Sequence, residues 1–162
     1  MPFPSRWAAC QAAGVSEPVA PVDLDPVRRM VAGEPGLASV SVVRADGTPH
    51  VSLVNAGVLD HPRTGAPVAA YVTYGPVKLR ALRARPDQLA VAVDRGPPPP
   101  HAPHDRRRGP GDTDPEALRL LLRAVFAACG GTHDDWDAYD RVMREEGRVA
   151  VLVTPRKVYG NG

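Results

Sequence analysis

The amino-acid sequence predicts an α+β fold, mainly β, in which helices flank an antiparallel sheet. Two observations carry this prediction. The stretch Leu37–Arg44 is rich in β-branched residues that partly alternate, and the Asp46-Gly47 dipeptide that follows is typical of a type I′ hairpin turn. Further along the chain, apolar residues recur at helical spacing and predict an amphipathic helix: Leu118, Leu121, Leu122, Val125, Phe126 and Cys129.

The first half of the chain contains most of the predicted sheet. A short helix is expected to begin at Asp25-Pro26, an N-cap followed by proline at the first helical position, and to end near Gly33. Four strands and one further helix are expected after it. The strands are Leu37–Arg44, His50–Leu59 with a break at residues 55–57, Val68–Tyr74 and Gln88–Asp94, and the helix is Pro76–Arg85, with Leu79 and Leu82 facing inward and its arginines outward.

The second half contains two well-marked helices and a last strand. Asp114-Pro115 begins the amphipathic helix and Gly130-Gly131 ends it. Thr132–Asp135 matches a capping box for the next helix, which Gly147 ends. The apolar stripe of that helix is Trp136, Tyr139, Val142 and Met143. Val149–Val153 then alternates as the last strand.

One segment interrupts this pattern. Asp94–Pro115 contains no Val, Ile, Leu, Phe, Tyr or Trp, but it carries the runs Pro97–Pro100 and Arg106–Arg108. Proline cannot donate to a sheet ladder, so residues 95–113 are expected to form an atypical solvated loop rather than a central strand. The His101-x-x-His104 pair in this loop lacks the support that a metal site needs, and no metal site is predicted.

Length and composition narrow the class of protein. The chain has 162 residues, 43% of them hydrophobic, and residues 25–162 are expected to form a single domain. Residues 1–24 are expected to form a poorly ordered N-terminal extension. The net charge of +2 excludes a strong positive electrostatic field of the kind that attracts nucleic acid. The two cysteines do not make a disulfide framework, and the sequence shows neither a membrane-length apolar run nor a secretory signal. We therefore expect a cytoplasmic protein that binds neither nucleic acid nor membrane.

The segment Gly75-Pro76-Val77-Lys78 is the strongest candidate site. It follows a predicted strand that ends Val72-Thr73-Tyr74, and it opens a predicted helix. Backbone N–H groups and the dipole at a helix start favour an anion, Lys78 adds a positive charge, and Thr73 can add a hydroxyl. A phosphate cradle is one interpretation of this segment. A solvated arginine-rich helix with nothing bound is the other, and the residues alone favour neither.

Longer stretches resemble a known family. The order of Leu37–Arg44, Asp46–Ser52, Thr73–Pro86 and Gln88–Val93 is similar to the pyridoxamine 5′-phosphate oxidase-like split-barrel family. Two later stretches, Gly130–Tyr139 with its Gly-Thr-His-Asp-Asp-Trp-Asp-x-Tyr motif and Arg148–Tyr159, resemble the branch of that family that depends on the deazaflavin coenzyme F420. The resemblance covers residues 27–94 and 112–162.

This resemblance implies a fold, a cofactor and a reaction. The fold is a six-stranded split β-barrel of the FMN-binding type, usually a homodimer that binds a flavin or deazaflavin at the subunit interface. By position, Lys78 contacts the cofactor phosphate with Thr73 and Tyr74 alongside, and Val54 and Asn55 lie near the ring system. The implied activity is hydride transfer between coenzyme F420, or alternatively FMN, and a small organic acceptor. No side chain is nominated as a catalytic acid or base.

The chain departs from the family where the family has a further barrel strand, because the proline- and arginine-rich segment stands there. One hypothesis is that residues 95–111 arise from a local reading-frame slip that is restored before Asp112; an unambiguous in-frame read of the same segment would contradict it. If the segment is authentic, the barrel has an unpaired edge. Two alternatives to the enzyme follow: a non-catalytic flavin- or deazaflavin-binding dimer, and a damaged paralogue without ligand.

Overall fold

The computed structural model describes residues 22–31, 36–94 and 114–158. Residues 1–21 of the predicted extension and the segment 95–113 with His101 and His104 lie outside the described residues, whereas residues 22–24 of that extension are described and Leu24 is buried. Within them the chain forms an α+β fold with a five-stranded antiparallel sheet and four helices, which confirms the predicted class. In chain order the elements are α1 (Asp25–Val31), β1 (Leu37–Val43), β2 (Pro49–Asp60), β3 (Pro67–Thr73), α2 (Pro76–Ala84), β4 (Leu89–Asp94), α3 (Pro115–Ala128), α4 (Trp136–Glu145) and β5 (Val149–Val153).

The long strand β2 joins two halves of the sheet, whose strand order is β4-β1-β2-β3-β5. Residues 49–55 of β2 pair with β1, and residues 56–60 pair with β3. We call β4, β1 and residues 49–55 the first half-sheet, and residues 56–60, β3 and β5 the second half-sheet. The predicted break at residues 55–57 is wrong, because β2 is continuous there. Those residues instead mark the point at which β2 changes its partner strand.

The two half-sheets share one core. Their inner faces pack together with one side of α2, and the buried members of this cluster are Ala38, Val40, Val42, Ala56, Tyr71, Ala81 and Leu82. Val91 of β4 and Val151 of β5 pack against the same cluster, although these strands lie at opposite edges of the sheet. The sheet therefore curls so that both edges contribute side chains to a common interior.

The outer faces of the two half-sheets differ. Helix α3 covers the outer face of the second half-sheet, where Leu121, Val125 and Cys129 pack with Ala70. Gly57 allows this close approach, because a Cβ atom at that position would lie 2.1 Å from the carbonyl oxygen of Ala128. No described helix covers the outer face of the first half-sheet at Val51 and Leu53, which are 60% and 54% exposed.

Two local predictions need correction. In the hairpin between β1 and β2, Gly47 alone has a positive φ, of 85°, whereas a type I′ turn requires positive φ at both central residues. The Gly47 N–H donates to the carbonyl of Arg44 over 3.0 Å and the Arg44 N–H donates to that of Thr48 over 2.9 Å, so the loop is a hydrogen-bonded turn over residues 44–47 that ends in a left-handed glycine. At α4, Asp135 and not Thr132 is the N-cap, and its carboxylate accepts from the Ala138 N–H over 2.9 Å.

Other local predictions are confirmed. Gly130 and Gly147, with φ of 80° and 60°, follow the ends of α3 and α4, where a left-handed residue terminates a helix. The amphipathic stripe of α3 faces the sheet, with Leu121, Leu122 and Val125 buried. Val142, assigned to the apolar stripe of α4, is in contrast 41% exposed. Within the described ranges, the helices are too short or too polar to cross a membrane.

Candidate functional site

The start of α2 presents backbone N–H groups that no side chain caps. Gly75 is the N-cap, with φ −67° and ψ 123°, and glycine has no side chain to accept from the first turn. Pro76 occupies the first helical position, and the first turn contains no acidic residue. Acidic side chains normally complement the positive end of the helix dipole at this position. Their absence here leaves a partial positive charge that suits an anion.

Lys78 lies on the buried side of α2. It is 5% exposed, and Ala81 and Leu82 on the same side of the helix are also buried, which confirms the inward position of Leu82; Leu79, predicted to face inward with it, is half-buried. The Lys78 Nζ atom is 5.6 Å from the centroid of the Tyr71 ring. Burial lowers the Lys78 pKa to about 8, and in the described part of the chain no carboxylate pairs with the ammonium. Lys78 therefore does not belong to the solvated arginine face of the helix.

Thr73 and Tyr74 connect β3 to α2. Thr73 is 4% exposed and lies opposite Val149 in the β3–β5 ladder. Tyr74 is half-buried, and the guanidinium carbon of Arg148 lies 3.9 Å from the centroid of its ring. The Glu146 carboxylate in turn accepts from the Arg148 Nε over 2.7 Å. The sequence analysis missed Arg148 because its position depends on the β3–β5 register, which no local pattern reveals.

Val54 and Asn55 lie where the β2–β3 ladder ends, beside the end of β3. Val54 lies opposite the fully buried Ala38 and packs against the inner core. Asn55 is the next residue along the strand, so its side chain projects to the opposite face, where it is exposed. The structure therefore brings Val54 to the same interior as Thr73 and Lys78, and it places Asn55 on the outer face of the first half-sheet.

The hairpin end of the interior is positively charged. The His50 Nδ1 atom lies 3.0 Å from an Arg44 terminal nitrogen, and burial together with the charges of Arg44 and Lys78 lowers the His50 pKa. Arg85 donates to the carbonyl of Arg44 over 2.9 Å, which holds the C-terminal end of α2 against the hairpin. Sequence reasoning placed His50 in a strand without a role, because its proximity to Lys78 is a long-range contact.

The side chains between α3 and α4 pack against one another. Tyr139 is 5% exposed, and its hydroxyl donates to the carbonyl of Leu122 over 3.1 Å. The Trp136 ring lies edge-on to Phe126 at 6.0 Å. Cys129 is buried, which raises its thiol pKa to about 12, as expected for a core residue. Among the described residues, His, Cys, Asp and Glu form no group of three or more that could hold a metal ion.

Comparison with known proteins supports the fold class and gives no information on the activity. No protein-family model matches the chain, and no curated protein matches it. Among solved structures, the chain is similar to the crystal structure of conserved hypothetical protein Rv2991 from Mycobacterium tuberculosis. The two are 18% identical with a TM-score of 0.51, and the match covers 84% of this chain and 82% of that chain. This similarity supports the α+β architecture.

Proposed function

We propose that this chain is a split-barrel protein of the pyridoxamine 5′-phosphate oxidase-like family, in the deazaflavin-dependent branch. In this proposal it transfers a hydride between coenzyme F420, or alternatively FMN, and a small organic acceptor. The observation that carries the proposal is the uncapped start of α2 beside Lys78, a buried cation with no carboxylate partner in the described residues. The shared interior of the two half-sheets also suits a barrel-like fold.

The residues of the site fit the phosphate of such a cofactor. The N–H groups of the first turn of α2 donate to an anion, and the Lys78 ammonium adds a charge-assisted hydrogen bond. Thr73 and Tyr74 hold the turn that leads into this helix, and the contact between Arg148 and the Tyr74 ring orients that turn. Val54 offers an apolar surface on the same interior.

This set of residues determines which roles belong to the protein and which belong to the cofactor. When bound, the cofactor supplies the hydride chemistry. The protein binds the phosphate, orients the ring and excludes water. Lys78 is therefore a binding residue, and no described side chain is assigned the role of a catalytic acid or base.

Titration of the purified protein with F420 and with FMN, followed by fluorescence, tests the proposal. Saturable binding of at least one cofactor is expected. Lys78→Ala should weaken it by about 1.5–3 kcal/mol, because a charge-assisted phosphate contact is lost. Arg83→Ala, which removes an exposed charge from the same helix, is the matched control and should leave the affinity nearly unchanged. Binding of neither cofactor would refute the proposal.

Turnover separates the enzyme from a binding protein. Reduced cofactor is incubated with the protein and a panel of small organic acceptors under anaerobic conditions, and cofactor oxidation is followed by absorbance. An enzyme oxidises the cofactor with at least one acceptor. Binding without turnover of any acceptor supports the non-catalytic flavin- or deazaflavin-binding dimer instead.

The proposed partner is a second copy of this chain, seated on the outer face of the first half-sheet. The register places mainly small or apolar residues on that face, among them Ser39, Ser41, Val51, Leu53, Ala90 and Ala92, with Asn55 at one end and Asp94 as the charged position. A two-fold interface brings a surface against itself, and a surface with few charges does so with little repulsion between like charges. Asn55 then lies at the boundary between subunits, where the resemblance places the cofactor ring.

The mass in solution, measured by light scattering after size exclusion, tests this arrangement. The wild-type protein should be a dimer, and Leu53→Glu should shift it to a monomer by introducing facing charges. Val142→Glu, a similar change at an exposed residue of α4, should leave the dimer intact. A wild-type protein that is monomeric at all concentrations would contradict the proposed interface.

A further inference from the structure

Two hydroxyl groups beneath α2 lack the partners that buried polar groups normally have. The Ser52 Oγ and the Tyr71 hydroxyl are enclosed, and neither has a hydrogen-bond partner in the described structure. Lys78, 5% exposed, lies beside Tyr71 and pairs with no carboxylate of the described residues. Most buried polar groups in folded proteins are hydrogen-bonded, so two unsatisfied hydroxyls next to a buried lysine require an explanation.

The two hydroxyls lie on the inner face of the sheet, and Lys78 lies on the buried side of α2, which packs against that face. Ser52 lies opposite the buried Val40, and Tyr71 lies opposite the buried Ala56, so both side chains project toward the interior. The Lys78 Nζ stands 5.6 Å from the Tyr71 ring centroid, and its charge also acts on His50, two residues from Ser52 on the same side of β2. A line of polar groups therefore follows the inner face of β2 from the hairpin to the start of α2.

The chemistry of these polar groups along the inner face of β2 favours an anionic ligand. The two hydroxyls can donate, the ammonium can only donate, and Arg44 and Lys78 make the region positively charged. An oxyanion accepts several such bonds at once, whereas a cation or an apolar group satisfies none of them. The uncapped first turn of α2 adds further donors at the end of the same line.

We propose that Ser52 and Tyr71 join Lys78 in an oxyanion site on the inner side of α2, and that this site holds the phosphate group of the bound cofactor. The inference rests on the proposed function, and it adds two specific donors and the side of the helix from which the phosphate is held. Serine and tyrosine hydroxyls left without partners in the ligand-free protein are then reserved for the ligand. The same chemistry accommodates the phosphomonoester of FMN or the phosphodiester of F420.

Two readouts that move in opposite directions test the inference. Ser52→Ala, Tyr71→Phe and the double variant remove hydroxyls that have no partner, so the ligand-free protein should unfold at the same or a higher temperature. Binding of FMN and F420 should weaken by about threefold to tenfold per hydroxyl, because each variant removes one donor to the phosphate. Thr64→Ala, at an exposed residue in the turn between β2 and β3, is the control and should leave cofactor binding unchanged.

Riboflavin, which carries the FMN ring but no phosphate, identifies the group that is recognised. The variants should leave riboflavin binding unchanged while they weaken FMN binding. Equal weakening of both ligands, unchanged FMN and F420 binding, or a lower unfolding temperature of the ligand-free variants would each overturn the inference but not the proposed function.

A wild-type protein that binds no flavin or deazaflavin would refute the proposed function, and inorganic phosphate then tests the site. A phosphate-induced rise in the unfolding temperature of the wild type that is lost in the double variant supports the oxyanion site alone. No rise in the wild type would overturn both.

Discussion

Two regions of this molecule bury polar side chains, and they do so in opposite ways. Between α3 and α4, Asp140 is 8% exposed and accepts from Arg119 over 3.0 Å and from Arg123 over 2.6 Å and 2.9 Å. The Tyr139 hydroxyl beside it donates to a backbone carbonyl. Beneath α2, in contrast, Lys78 and the Tyr71 hydroxyl are buried without such partners among the described residues.

This difference separates polar groups that hold the fold together from polar groups that need another explanation. A satisfied group compensates for its desolvation within the native state, so its removal destabilises the protein. An unsatisfied group reduces the stability of the ligand-free protein, and it is retained for a reason other than folding. Removing groups from the two regions should therefore give effects of opposite sign.

The largest effect is expected at Asp140. Asp140→Ala leaves the Arg119 and Arg123 guanidinium groups, 31% and 25% exposed, facing each other without the carboxylate. We expect a loss of about 2–3 kcal/mol in the free energy of unfolding, measured by urea denaturation. Asp137→Ala is the matched control: its carboxylate is 99% exposed and lies 3.9 Å from Arg123, so its loss should change stability by less than about 0.5 kcal/mol.

The change in the free energy of unfolding at acidic pH provides an independent test of the Asp140 carboxylate. The hydrogen bonds from Arg123 and then Arg119 lower the Asp140 pKa, so its contribution is complete above the ordinary pKa of 3.8 and declines as the pH falls through the lowered value. The difference between wild type and Asp140→Ala should therefore shrink only below that ordinary pKa. Equal stabilities of Asp140→Ala and Asp137→Ala near neutral pH would show that the cluster does not stabilise the fold.

The sequence predicted correctly those features of the fold that depend on residues close together in the chain. Gly130 and Gly147 end helices because a left-handed residue is needed there, and alternation identified β5 between the bounds that the structure has. The pairing of strands that are distant in the chain could not be predicted from local patterns. The break predicted in β2 reflected Asn55 and Gly57, whereas the structure uses this point to exchange one partner strand for another.

The candidate site was found only in part. Lys78 could be nominated because its residue type and its place at a helix start are visible in the sequence. Its burial was missed, although Lys78, Ala81 and Leu82 have the i, i+3, i+4 spacing of one helix face. Ser52 and Tyr71 are ordinary strand residues in the sequence. They become candidates only when the register shows which face of the sheet is the interior.

A second prediction concerns Lys78 and alkaline pH. Lys78→Met should raise the free energy of unfolding by about 1–3 kcal/mol at pH 7, because it removes a buried, unpaired cation. Between pH 8 and 10 the native lysine, with its pKa near 8, loses its proton while the unfolded chain keeps it. The unfolded state then binds more protons, so wild-type stability should rise with pH and approach that of the variant.

Urea denaturation at pH 7, 8, 9 and 10 measures this convergence. Val77→Met, at an exposed residue of the same helix, is the control; it removes no ionisable group, so its difference from wild type should stay constant across the series. A Lys78→Met variant that is less stable than wild type at pH 7 would show that the ammonium has a stabilising partner. That result would remove the contrast between the two regions.

The smallest effect concerns the two buried tyrosines, which are 5% and 0% exposed. Tyr139→Phe removes the hydrogen bond to the Leu122 carbonyl and should cost about 1 kcal/mol of unfolding free energy. Tyr71→Phe removes a hydroxyl that has no partner, and it should be neutral or stabilising in the ligand-free protein. The two variants make the same chemical change to the same residue type, so their sign difference isolates the hydrogen bond. If both were equally destabilising, the Tyr71 hydroxyl would be satisfied in solution, and only Lys78 would distinguish the region beneath α2.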